Sequence, residues 1–265
     1  MNRKMKKIFP ILLAAVAVFS SCANVDENDR YIKIEASEAK RAILVEEFTG
    51  QKCINCPEAH EEIARIVKEY GEENVIPVSI HASALAVYPT TKMVGLRTEL
   101  GEEYYKAFNG NGVPAAYINR TGSLTSVVAQ WANIIGSEIS KTTPVTLSMA
   151  NSYNADTRKL DIDIKATSSE SLNGKLQVWI LEDGIVCTQL FKGNKVDKNY
   201  VQNHVLRAAV NGSWGTEIAL QAGTENNSKH SITLEPNWEA KNISVVAFVY
   251  NAEGVHQVIK KHINN

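Results

Sequence analysis

The sequence predicts an α/β domain followed by an all-β sandwich, and three observations lead there. Strand-like and helix-like segments alternate up to about residue 140, and short β-type runs fill the chain after residue 146. Cys53 and Cys56 sit at the junction of a β-rich run and an amphipathic one. Gly112-Val113-Pro114 opens a later strand-like run. A length of 265 residues suits two domains. With 44% hydrophobic and 22% charged residues, the chain reads as globular rather than disordered. A formal charge of −1 without a basic stripe excludes a nucleic-acid partner.

The N-terminus stands apart. "MNRKMKK" is basic, and "IFPILLAAVAVFSS" is an apolar run ending in small residues, too short to span a bilayer comfortably. Residues 1–21 therefore read as a secretory signal. Cys22 in "FSSCA" stands where a bacterial lipoprotein signal places its lipidated cysteine, with Phe19 where leucine is usual. Acyl chains there would anchor the protein to a membrane; a plain cleaved signal would leave Cys22 a spare thiol. Residues 22–38 read as a polar tether. Losing Arg3, Lys4, Lys6 and Lys7 leaves 24 basic against 29 acidic residues, a charge near −5. An exported chain can keep disulfides. Setting Cys22 aside, Cys53, Cys56 and Cys187 remain, an odd number.

In the first half, "AILVEEF" (42–48) reads as a buried central strand. The following helix carries Ile63, Ile66, Val67 and Tyr70 on one face. Pro57 suits its first turn, Glu58, Glu61 and Glu62 its positive end, and Gly71 its stop. A second strand (74–81), a mostly helical stretch (90–108), a third strand (114–120) and a closing helix (124–140) complete an order matching a thioredoxin-like fold.

In the second half, nine β-type runs lie between 144 and 263. Asp183-Gly184 reads as a two-residue hairpin turn, and "NAEG" (251–254) closes a second hairpin. Strands at this spacing suggest an immunoglobulin-like sandwich. Across the first turn Cys187 would face Ile180, as a buried inert thiol.

The cysteine pair leaves three chemistries open: redox dithiol, structural disulfide, or half a metal site. Just ahead of a helix N-terminus, Cys53 gains backbone N–H groups and a positive dipole end. Cys56, one turn on, is placed to resolve a mixed disulfide. Cys53, Cys56 and His60 could supply three soft ligands and His81 a fourth. Structural zinc commonly brings a second close ligand pair, which is absent, so no metal is expected.

On "EEFTGQKCINCPEAH", "SIHA", "GVPAAYINR" and "NHVLRA" (203–208), the chain resembles the outer membrane protein 28-related lipoprotein family of Bacteroidetes. Residues 42–140 resemble a thioredoxin-like domain with a helical insertion. The resemblance implies a thioredoxin-like domain over 39–141 and the immunoglobulin-like sandwich over 142–265. It also implies roles. Cys53 would attack, Cys56 resolve, and Glu47 move protons, with Glu46 the alternative one residue away. Val113 and a cis Pro114 would hold an extended substrate. Lys52, His60 and His81 would tune the site. Lys52 departs from the tryptophan of thioredoxins and Ile54-Asn55 from their Gly-Pro. The expected function is thiol–disulfide exchange on extracytoplasmic proteins by an outer-membrane lipoprotein, reductant or isomerase rather than strong oxidant. The dithiol would be the redox carrier, with no bound cofactor. The rival is a non-enzymatic surface lipoprotein, an adhesin or assembly module, with a structural Cys53–Cys56 disulfide.

Overall fold

The computed structural model describes residues 39–263. The expected signal, Cys22 and the tether lie outside the described residues. In chain order the elements are β1 (Ala39–Lys40), β2 (Ile43–Thr49), α1 (Cys56–Tyr70), β3 (Val75–His81), α2 (Glu99–Ala107), β4 (Ala115–Ile118) and α3 (Trp131–Ile139). Then follow β5 (Thr142–Thr143), β6 (Val145–Asn154), β7 (Lys159–Ser168), β8 (Leu172–Glu182), β9 (Ile185–Phe191) and β10 (Lys195–Gln202). The last are β11 (Val205–Ala209), β12 (Thr216–Leu220), β13 (Asn226–Thr233), β14 (Ile243–Asn251) and β15 (Gly254–His262).

The expected fold class is corrected here. Strands dominate, and only three α-helices occur among the described residues. A separate thioredoxin-like α/β domain does not stand out, because one eight-stranded sheet takes strands from both halves of the chain. Its order is β15-β14-β8-β11-β3-β2-β4, with β12 also on β8. The join is made where β11 pairs parallel to β3 at Val205–Ser79 and antiparallel to β8. The ends of this sheet approach each other, since the Val255 N–H donates to the Asn119 carbonyl just after β4. The later strands therefore do not form an immunoglobulin-like sandwich of their own. Only β13-β7-β6 form a separate three-stranded sheet, while β9 and β10 pair with each other and β1 pairs with β5.

The strand period of two explains the three main cores. Ile43 and Val45 of β2 meet Ile63 and Ile66 of α1 and Trp131 and Ile135 of α3. Leu44 and Phe48, on the opposite face, join Tyr104 of α2, Trp179 of β8 and Phe248 of β14. Val178 and Ile180 of β8 pack with Leu160, Ile162 and Ile164 of β7. α2 and α3 are shorter than their sequence patterns suggest. Thr98 caps α2 by accepting from the Gly101 N–H, so the helix begins there rather than at residue 90.

Two hairpin expectations divide. β14 and β15 pair antiparallel through Asn251–Gly254. At Asp183-Gly184 the chain instead leaves the sheet, and β9 turns away from β8 to pair with β10. Cys187 therefore does not face Ile180. It is free and buried, packed with Leu96 and Val205.

Candidate functional site

β2 delivers two adjacent carboxylates to opposite faces of the sheet, both buried. Glu46 turns toward the aromatic core, where Arg120 donates to both its oxygens at 2.8 Å. The guanidinium also lies over the rings of Tyr250 at 4.4 Å, Phe248 at 5.0 Å and Phe108 at 5.3 Å. Burial is the largest single influence and lowers the Arg120 pKa, but the charge and hydrogen bonds of Glu46, with Tyr250 and Tyr104, together outweigh it and the net direction is up.

Glu47 turns toward α1. Its Oε2 accepts from the Ser79 hydroxyl at 3.3 Å, and its Oε1 lies 3.3 Å from His60 Nε2. Burial raises the Glu47 pKa to about 8, against a smaller lowering by Ser79. Burial, helped by the charge of His204, lowers that of His60 to about 4. Near neutral pH this close pair is therefore two neutral groups, not an ion pair. His60 also meets Thr49 Oγ1 at 3.0 Å and, through Nδ1, the Tyr200 hydroxyl at 2.8 Å. A cavity of about 240 Å³ beside Glu47, His60, Tyr200 and His204 opens this cluster to solvent. Tyr200→Phe should cost about 1–3 kcal/mol by leaving the His60 ring nitrogen unpaired. Urea unfolding checks this, and an unchanged midpoint would show that water replaces the hydroxyl.

Cys53 and Cys56 are joined in a disulfide, 2% and 0% exposed. The turn that carries them is clamped from several sides. Gly50 lies so close to the Leu85 backbone that a Cβ would meet it at 2.6 Å. Lys52 N–H donates to the Leu85 carbonyl, and the Gln51 side chain ties the turn to Val94 and Leu96. From the far half of the chain, Leu190 N–H donates to the Gln51 carbonyl, and Gln189 Nε2 donates to the Cys53 carbonyl at 2.9 Å. The Val113-Pro114 bond is cis, and the Val113 carbonyl lies 3.5 Å from Cys53 Sγ. As the sulfur is in a disulfide and carries no proton, that is a contact rather than a hydrogen bond.

Among the expected site residues, Cys53, Cys56, Val113 and Pro114 come together. Glu47 and His60 form a second cluster on the α1 face of β2. His81 is buried at the end of β3, and burial, with the charges of His60 and Arg207, lowers its pKa to about 3. Lys52 is exposed, its ammonium unpaired among the described residues. Both sulfurs are committed to each other, and no group of three or more His, Cys, Asp or Glu could hold a metal ion among the described residues. Gln189, Tyr200 and Gln202 carry no local signal in the sequence and arrive from β9 and β10. The stretch "NHVLRA" carries no chemical signature of its own. That stretch supplies His204, whose carbonyl accepts from the Ser79 N–H, and Val205, which joins β11 to β3.

A β-rich fold whose one large sheet joins both halves, with a buried disulfide turn at the end of its interior strand β2, defines the class of protein. The chain belongs to the Omp28 family: residues 101–265 match the family described as Outer membrane protein Omp28. Its place is the bacterial cell envelope, at the outer membrane. The structure of HBP35 of Porphyromonas gingivalis is similar in fold, with a TM-score of 0.69 and 16% identity, over 86% of this chain and 77% of that one. A domain of the outer membrane lipoprotein Omp28 from Porphyromonas gingivalis is 26% identical over 46% of this chain and 88% of that one, with a TM-score of 0.33. Comparison with curated protein sequences found no match.

Proposed function

We propose that this chain is a non-enzymatic outer-membrane lipoprotein, a binding or assembly module anchored through lipidated Cys22, in which Cys53–Cys56 is a structural disulfide. One observation carries this reading. Both sulfurs are buried, and the β9–β10 hairpin seals the turn through Gln189 and Leu190. An attacking thiolate needs access to its target, and this burial withholds it. With a sequence separation of 3, the disulfide closes a short loop and contributes only about 2 kcal/mol by chain entropy. The Cys53→Ser/Cys56→Ser variant should therefore stay folded, with stability lower by about that amount in urea. The native protein should not accelerate insulin reduction by dithiothreitol; turnover abolished in the variant would sink this reading.

A second reading, thiol–disulfide exchange, is favoured by Glu47, a buried carboxyl that keeps its proton near neutral pH beside the helix begun by Cys56. In that reading the Cys53 thiolate attacks a substrate disulfide, protonated Glu47 gives its proton to the substrate thiolate released, and the resulting carboxylate takes the proton of Cys56 and passes it to the second substrate thiolate as Cys56 resolves the mixed disulfide. The substrate leaves as a dithiol while the pair is oxidised. The Val113 backbone would align the substrate. Mixed disulfides trapped on Cys53 in a Cys56→Ala variant would support it, and none would count against it.

A further inference from the structure

Beside the Cys53 turn lies an open cleft of about 420 Å³, walled by β9 on one side and the segment before α2 on the other. Met93, Val94 and Val186 converge on it at 53%, 52% and 51% exposure. Single exposed apolar side chains are ordinary, but three gathered in one cleft are a candidate contact surface. Lys52, Lys92 and Lys198 also line it, and no carboxylate does. None of these ammonium groups has a partner among the described residues. Nearby Lys192, by contrast, pairs with Glu58 at 2.6 Å. In a chain with slightly more acidic than basic residues, this is a local concentration of unpaired positive charge around an apolar floor.

The wall formed by β9 narrows the chemistry further. β9 pairs only with β10, so its second edge carries no strand. At one end of that edge Leu190 is engaged, its N–H by the Gln51 carbonyl and its carbonyl by Gln189 Nε2. A strand edge next to an apolar groove suits an extended peptide, whose backbone bonds the edge while alternate side chains fill the groove. A fatty acid would use the lysines and the apolar floor but not the edge.

We propose that this cleft docks an extended segment of a partner protein in which apolar and acidic residues alternate. Its apolar side chains lie on Met93, Val94 and Val186, its carboxylates meet Lys52, Lys92 and Lys198, and its backbone runs along β9. This deepens the binding-module reading and rests on it. The test uses fluorescence anisotropy on the full chain. The probe is a fluorescein-labelled peptide alternating valine with glutamate, compared with the same peptide carrying lysine for glutamate and with a fluorescent fatty acid. The acidic peptide should bind, more weakly as salt rises. The exposed triple variant Lys52→Glu/Lys92→Glu/Lys198→Glu should weaken binding at least tenfold without shifting the melting temperature, and Val186→Asp should do the same.

Four results overturn the proposal: no binding of the acidic peptide, equal binding by the triple variant, binding of the fatty acid alone, or self-association in sedimentation that Val186→Asp abolishes. Insulin reduction on the same samples reports separately on the disulfide. Peptide docking with turnover would reject the structural-disulfide reading and leave the groove standing, while no docking and no turnover would do the reverse.

Discussion

Replacing Arg120 with methionine should destabilise the protein by about 3–5 kcal/mol, the usual cost of stripping one partner from a buried ion pair. Glu46 is 0% exposed, and its two oxygens are held by the same guanidinium. Without it a carboxylate would remain among aromatic rings with no compensating charge. The double variant Glu46→Leu/Arg120→Met removes both charges and should recover most of the loss, since apolar replacement of a whole buried pair is often neutral. Urea midpoints for wild type, Glu46→Leu, Arg120→Met and the double variant form a double-mutant cycle. A single-variant cost under about 1 kcal/mol would mean that water reaches Glu46.

Glu47→Gln should raise stability relative to wild type by an amount that grows as pH climbs from about 4.5 to about 8. The Glu47 pKa is raised from 4.5 to about 8 by burial, so the native state keeps a proton that the unfolded chain gives up. Stability therefore falls as pH climbs through the window from about 4.5 to about 8, and the loss is complete above it. A shift of that size sets a ceiling of roughly 5 kcal/mol. The histidines act in the opposite direction. His60 and His81 have pKa values lowered to about 4 and about 3, so their contribution is present above the ordinary value of 6.5 and lost as pH falls toward those numbers. Chemical denaturation between pH 5 and 9 should show wild type losing stability relative to the glutamine variant. Parallel curves would place a charged Glu47 in the native state at neutral pH.

Local elements were legible in the sequence where side-chain chemistry repeats with the backbone. β7 alternates Leu160, Ile162, Ile164 and Ala166 with exposed residues. α1 carries Pro57 in its first turn and ends at Gly71, whose φ of +94° suits glycine. β10 was missed because it exposes nearly all its side chains and carries no apolar alternation. The fold class failed for a different reason. Residues of β2 and β3 are buried on both faces, and a sequence pattern records that burial without saying what supplies it. Helices cover one face; strands from the second half help to cover the other.

The candidate site divides the same way. Cys53, Cys56 and Glu47 lie within ten residues and could be read together. Gln189, Tyr200 and His204 reach the site only through long-range pairing. Arg120 stood only as the last residue of the expected third strand, and its buried bond to Glu46, 74 residues away, has no local signature.

The parallel pairing of Val205 with Ser79 also bears on export. A polypeptide that crosses a membrane amino end first presents β3 well before β11 has emerged. During that interval one edge of the central sheet is open, with Leu44, Phe48, Ile76 and Ile80 still waiting for Trp179 and Phe248. Exposed strand edges and apolar surface of this kind invite aggregation. For this chain the vulnerable period is therefore the passage itself, and a chaperone that holds extended chains in the periplasm would act on the first half until the second arrives.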